Sequence, residues 1–166
     1  GRAIAEELSS YGVKVALLAR SKDKLDDIVE RITRSGNEAL ALKSDLRDKA
    51  SILSAIIEYK KQFGSLDFLI NNAGFGLRRL WQDISLEMEL EMMAVNYLAP
   101  VILTRHFLPE MLHRDKGQIV NINSFAGIYT APYQGAYAAS KSALVSYATS
   151  LAYELEKTNV HISSIF

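Results

Sequence analysis

QIVNIN at residues 118–123 runs through SFAGIYTAPY into QGAYAASKSALVSYATSLAYELEK at residues 134–157, and the change of pattern along this stretch decides the fold. Its first six residues are rich in β-branched side chains and read as a buried strand. The last twenty-four are rich in Ala, Leu and Glu with no internal Pro, and read as a helix. Working outward, the same alternation recurs. VKVALLA (13–19), residues 39–43, LDFLI (66–70) and VHISSI (160–165) are short apolar runs of strand type. Helical patterns fill residues 2–11, 22–35, 48–63 and 85–113, the last interrupted at Pro100. Alternating strands and helices predict an α/β protein with an open, doubly wound parallel sheet and helices on both faces. In such sheets ligands bind beyond the carboxyl ends of the strands.

The residues at those ends carry chemistry. Ser124 closes the 118–123 strand, and Tyr137 and Lys141 lie four apart on the helix that follows, so they share one face. A ketone that accepts hydride builds negative charge on oxygen; it needs an acid that delivers a proton and a donor that holds the oxygen. Tyr137 and Ser124 are residue types that supply both. A free phenol ionises near pH 10 and exchanges its proton sluggishly at neutrality, but a neighbouring ammonium favours the phenolate. Lys141 is placed to provide one. Taken alone, each residue also reads blandly, as a half-buried Tyr, a solvated Lys and an ordinary Ser; the surrounding motifs tip the balance.

Asn71-Asn72-Ala73-Gly74 follows the 66–70 strand and Arg20 closes the 13–19 strand, so both reach the same rim as Ser124. With these residues in view, the chain resembles the short-chain dehydrogenase/reductase family over essentially its whole length. Gly1-Arg2-Ala3-Ile4-Ala5 resembles the tail of the glycine-rich cofactor turn, Asp45-Leu46 the adenine-side loop and residues 71–74 the NNAG signature. Val95-Asn96 resembles the helix asparagine, and Ser124, Tyr137 and Lys141 the active site. The resemblance implies a Rossmann-like fold and catalytic roles for Asn96, Ser124, Tyr137 and Lys141. Tyr137 would be the general acid in reduction and the base in oxidation, with Ser124 bonding the reacting oxygen. Lys141 would bind the nicotinamide ribose, and Asn96 would hold a water linking Lys141 to solvent. Cofactor contacts are implied for Gly1, Arg20, Ser21, Asp45, Leu46, Asn72, Ala73, Gly74, Tyr137 and Lys141. It also implies a homodimer or homotetramer paired through the helices carrying Asn96 and Tyr137.

Cofactor preference follows from the end of the second strand of such a fold. An acid there bonds a ribose 2′-hydroxyl, whereas an Arg accommodates a 2′-phosphate. This strand ends Leu18-Ala19-Arg20-Ser21, without a carboxylate, so NADP(H) is preferred and NAD(H) remains possible. The alternative is a solvated Arg20, with Ser21 capping the next helix. Asn71 and Asn72 also read as a turn before Gly74, and Asn96 as a partner for buried backbone. Phe75, Phe125, Tyr129 and Gln134 are candidates to line a partly apolar substrate pocket. Trp81, Met88, Met92 and Met93 read as a core stripe, and His106, His113 and His161 lack metal-ligand spacing. No metal site is expected. Asn123 stands where the family often has a second serine.

Composition bounds the rest. At 166 residues, 49% hydrophobic, the chain is long enough for one domain with a sizeable core, and residues 1–166 are expected to form part of a single dinucleotide-binding oxidoreductase domain. Zero net charge without a basic cluster argues against nucleic acid as a partner, and a small carbonyl or alcohol substrate is expected instead. No cysteine means no disulfide framework. No apolar run reaches membrane-spanning length, and a cytoplasmic location is expected, with attachment through other segments left open. Gly1 resembles the last glycine of its turn and Phe166 ends at a sixth strand, so the stretch reads as an internal piece of a longer enzyme without the first strand and the C-terminal segment. Two other readings remain: a nucleotide-binding sensor that keeps the fold without the chemistry, and a truncated interaction partner.

Overall fold

The computed structural model describes residues 1–166, and the chain divides into two compact units, Gly1–Gly64 and Ser65–Phe166. The first unit holds α1 (Arg2–Ser10), β1 (Val15–Ala19), α2 (Lys22–Arg34), β2 (Ala39–Lys43) and α3 (Lys49–Phe63). β1 and β2 pair in parallel from Val15↔Ala39 to Ala19↔Lys43, with α2 as the crossover between them. The sequence of α2 explains its placement. Leu25, Ile28 and Ile32 recur at helical spacing and are buried, while Lys22–Asp26, Arg31–Asp27 and Arg34–Glu30 pair on the exposed side. Ile28 and Ile32 join Ala5 of α1 in a core against Val15, Leu17 and Ala39. Burying each such Ile is worth about 1.5–3 kcal/mol. α3 starts at Asp48, whose carboxylate accepts from the Ala50 and Ser51 amides, and stops at Gly64, where φ of 73° suits only glycine well.

In the second unit β3 (Phe68–Asn71), β4 (Gly117–Ile122) and β5 (Val160–Ile165) form a parallel sheet in the order β3-β4-β5. Ile119 on the central strand and Val160 at the start of β5 are fully buried, as are Met92, Met111 and Leu144 on the helices. The strands thus fall into sheets of two and three, all parallel, and every element named in the sequence is present within the usual shifts at its ends. No helix is long and apolar enough to cross a membrane.

The long helical region differs from expectation in an informative way. α4 (Leu86–Met93) continues through a π-helical turn, Ala94–Leu98, into α5 (Ala99–His113) without breaking at Pro100. Pro100 has no N–H to offer the Asn96 carbonyl four residues back, so the regular ladder cannot close there. The chain widens instead, with the Ala99 amide reaching the Ala94 carbonyl. Asn96 sits in the middle of this wide turn. Trp81 is a second difference: it lies in a short 3-10 turn, Trp81–Asp83, outside the helical period, and faces solvent rather than joining Met92 in the core. Met88 is likewise partly exposed.

Candidate active site

The second unit assembles its polar groups at the carboxyl ends of β3 and β4. β4 ends at Ile122, and Ser124 begins a 3-10 turn, Phe125–Gly127, that docks on α6 (Gly135–Glu154). Two hydrogen bonds hold the dock: Ser142 Oγ donates to the Gly127 carbonyl at 2.8 Å, and Lys141 Nζ donates to the Ile122 carbonyl at 2.8 Å. Gly127 eases the approach, because a Cβ there would crowd the Lys141 carbonyl carbon at 3.0 Å. Ser124 Oγ accepts from the Ala126 amide at 3.2 Å, so its hydroxyl hydrogen remains free to donate. Asn123 Oδ1 accepts from the Ser124 amide at 3.2 Å.

Lys141 is 4% exposed, and burial pushes its ammonium below the usual lysine value. Gly74 lies against it. A Cβ on Gly74 would stand 3.1 Å from Asn96 Oδ1 and 3.4 Å from Lys141 Nζ, so NNAG ends in bare backbone beside an amide and a buried cation. Asn96 is fully buried and its amide is engaged on three sides. Oδ1 accepts from the Phe75 amide (3.0 Å), and Nδ2 donates to the Phe75 carbonyl (2.8 Å) and to Ser140 Oγ (2.9 Å). Both Nδ2 hydrogens are therefore spent on protein. Ser140 Oγ in turn donates to the Tyr137 carbonyl at 2.7 Å. Behind these, Asn71 Nδ2 donates to Asn121 Oδ1 at 2.8 Å across the strand pair, while Asn71 Oδ1 and Asn123 Nδ2 are buried without a protein partner.

Tyr137 is half-buried in the first turns of α6, with its ring against Gly76. The structure thus brings Gly74, Asn96, Ser124 and Lys141 around the ends of β3 and β4, with Tyr137 on the Lys141 helix. Asn72 is half-buried just before them, its amide bonded to the Ile70 carbonyl, and Ala73 is exposed. Of the pocket candidates, Phe125 and Tyr129 are exposed and Gln134 stands at the N-cap position of α6 without a side-chain capping bond; Phe125 packs its ring 6.0 Å from that of Phe166. Ser140 and Gly76 escaped sequence reading. Ser140 was findable as the serine three residues after Tyr137, but nothing in the sequence singles out Gly76.

In the first unit, Arg20 and Ser21 follow β1 and Asp45 and Leu46 follow β2. A cleft of about 350 Å³ opens there, lined by Arg20, Lys43, Ser44, Asp45 and Ser51. Arg20 is exposed, and its charge helps to lower the carboxyl of Asp45. Ser21 occupies the N-cap position just before α2, yet its hydroxyl makes no capping bond, which removes the simplest structural reason for it. Asp45 is bound by Arg47, whose side chain and amide both donate to it and hold its carboxyl at about 2. Two cations, a carboxylate and two hydroxyls thus line one cleft. Gly1 lies immediately before α1.

The fold and these motifs define a Rossmann-like α/β protein. The chain belongs to the short chain dehydrogenase family, which it matches over residues 1–166. It is 37% identical to human dehydrogenase/reductase SDR family member 7 over 159 residues, covering 93% of this chain and 47% of that protein. It is 33% identical to a fatty acyl-CoA reductase of Mycobacterium tuberculosis, covering 100% of this chain and 58% of that one. The chain spans about half the length of these curated relatives. A metagenomic short-chain oxidoreductase solved in complex with NADP superposes with a TM-score of 0.93 at 35% identity, over 99% of this chain and 74% of that one. A Burkholderia phymatum member in complex with NAD gives 0.93 at 30% identity, over 99% and 59%.

Proposed function

We propose that the protein is an NADP(H)-dependent oxidoreductase that interconverts a carbonyl and a secondary alcohol, with Tyr137 as general acid in reduction and base in oxidation. The observation that carries this reading is Lys141. A lysine buried without a carboxylate partner, anchored to the strand end two residues before Ser124 and four residues along the helix from Tyr137, has chemistry as its best explanation. Bound nicotinamide would supply the hydride in reduction and accept it in oxidation. As the new C–H bond forms, the Tyr137 hydroxyl gives its proton to the former carbonyl oxygen. Ser124, whose hydroxyl already accepts from Ala126, donates its own hydrogen to that oxygen and fixes it. Lys141 would hold positive charge where the phenolate is left, and it and Tyr137 would bind the nicotinamide ribose. Asn96 keeps the Phe75 backbone, and through it Gly74, in place; with both Nδ2 hydrogens spent, any bridging water would have to bind its main-chain carbonyl or the remaining Oδ1 lone pair.

Arg20 and Ser21 are the proposed ligands of a 2′-phosphate, with Asp45 and Leu46 on the adenine side and Asn72, Ala73 and Gly74 presenting backbone to the cofactor. The solved relatives with NADP and with NAD support a nicotinamide cofactor; the exposed Arg20, at a strand end without a carboxylate, favours the phosphorylated one. Tyr137→Phe in the native protein tests the reading. Turnover should collapse by about 10²-fold or more while NADPH binds within about twofold of wild type, since the phenol oxygen is one contact among many. Full turnover by Tyr137→Phe would overturn the proposal, and no turnover by wild type with intact NADPH binding would favour a nucleotide sensor.

A further inference from the structure

Gly76 meets Tyr137 more closely than any side chain permits. A Cβ built on Gly76 falls 2.5 Å from Tyr137 Cδ2, 2.7 Å from Cγ and 3.0 Å from Cε2. Its φ is not in the left-handed region, so backbone conformation does not explain the glycine there; close approach does. Cγ is the root of the ring, one bond from Cβ, and moves only if the whole side chain turns. Either Tyr137 or the loop must yield to a methyl group at 76.

The loop is pinned on both sides of Gly76. One residue before, the Phe75 amide and carbonyl are both bonded to the buried Asn96 side chain. Three residues after, the Arg79 amide donates to the Tyr133 carbonyl at 3.1 Å. Tyr133 itself sits at φ 69°, a conformation that costs a non-glycine residue about 1–3 kcal/mol and persists only where its surroundings hold it. Tyr133 begins the approach to α6 four residues before Tyr137. The segment 75–79 is thus fastened to the Asn96 turn at one end and to the entry of the Tyr137 helix at the other, with Gly76 on the Tyr137 ring between them.

We infer that Gly76 is a positioning residue, whose bare backbone sets where the Tyr137 ring lies relative to Ser124 and Lys141. This rests on the catalytic reading of Tyr137 given above. The test compares Gly76→Ala with Gly135→Ala in the native protein; a Cβ at Gly135 meets nothing within 4 Å and serves as the control. Displacement of a reacting group by about 1 Å costs up to about 10²-fold, so kcat of Gly76→Ala should fall about tenfold to a hundredfold. The cofactor KM should stay within about twofold of wild type. The shape of kcat against pH should change as well, which a loss of packing alone would not produce. With 3-fluorotyrosine incorporated, the ¹⁹F resonance that Tyr137→Phe removes should shift in Gly76→Ala and stay put in Gly135→Ala; this readout needs no turnover. An unshifted resonance, or a kcat and pH profile equal to those of Gly135→Ala, overturns the inference. If Tyr137→Phe is inactive and Gly76→Ala normal, only the positioning role fails; if Tyr137→Phe is fully active, the catalytic reading fails and this one with it.

Discussion

Truncating Asn96 to alanine should loosen the site before it touches the chemistry. The Asn96 amide makes three hydrogen bonds at 2.8–3.0 Å, two to the Phe75 backbone and one to Ser140, and is fully buried. At about 1 kcal/mol per neutral bond, their loss costs about 3 kcal/mol. Leaving the Phe75 N–H and C=O unpaired in a part-buried place keeps the estimate from falling, because stranded groups cost more than bonds return. Against a whole-protein stability of about 5–15 kcal/mol this is a large fraction. Urea unfolding of the native protein, followed by circular dichroism with the slope held common, measures it. Hydrogen exchange at the Phe75 amide should accelerate, reporting local release of the 75–79 segment. A loss below about 1 kcal/mol with the Phe75 amide still protected would mean that the π-helical turn and the loop hold each other by packing alone, and the three-bond account would be wrong.

Two further outcomes follow from the first unit. Arg20→Ala should lower the preference for NADPH over NADH by about tenfold to a hundredfold, the worth of one charge-assisted hydrogen bond of about 1.5–3 kcal/mol; an unchanged ratio of the two dissociation constants would remove Arg20 from the phosphate site. Asp45 has its carboxyl lowered from 3.8 to about 2, first by the Arg47 side-chain bond and then by the Arg47 amide. Its folded value is depressed, so its stabilisation is fully present above pH 3.8 and is lost as pH falls towards 2. The pair is about one-third exposed, so the stabilisation is discounted to about 1 kcal/mol or less. Carboxyl NMR should place the midpoint near 2 in wild type and move it upward in Arg47→Ala; a midpoint already near 3.8 in wild type would refute the pairing.

What the sequence discloses depends on which physical signal writes it. The strands were legible because a parallel strand buried by helices needs a continuous apolar run, as in VALLA of β1. Ser124, Tyr137 and Lys141 were legible because their spacing is local: one helix turn for the pair, and one strand end for the serine. The π-helical turn was not, because Pro100 in the sequence signals only that a ladder bond is missing, not whether the helix breaks or widens. Helical residues on both sides, Leu86–Met93 and Ala99–His113, decided for widening. Trp81 is exposed although its apolar character predicts burial, because a 3-10 turn takes its side chain out of the helical period. Gly76 is illegible because its reason lies sixty-one residues away, in the Tyr137 ring that must be approached.

The polar residues of the second unit show where packing has yielded to another requirement. Away from the strand ends the buried set is mainly apolar, with Ile119, Val160, Met92, Met111 and Leu144, and its polar exceptions are Thr104 on α5 and the Arg114 Nε beside the start of β3. At the ends of β3 and β4 the buried set becomes Asn71, Asn96, Asn121, Asn123, Ser140 and Lys141. Two of these leave an atom unpartnered, and one is an ammonium whose pKa burial has lowered. A buried cation without a counter-charge opposes folding, and methionine at 141 would fill similar volume without that penalty. Stability alone therefore argues against the lysine. The arrangement around it is also too specific for incidental burial: Gly74 and Gly127 are both trimmed to let backbone reach it, and Ile122 turns a carbonyl to its Nζ. Departures from the packing rule that gather within one site, and that the neighbouring glycines and amides are shaped to accommodate, are what the proposed chemistry would require and the fold alone would not.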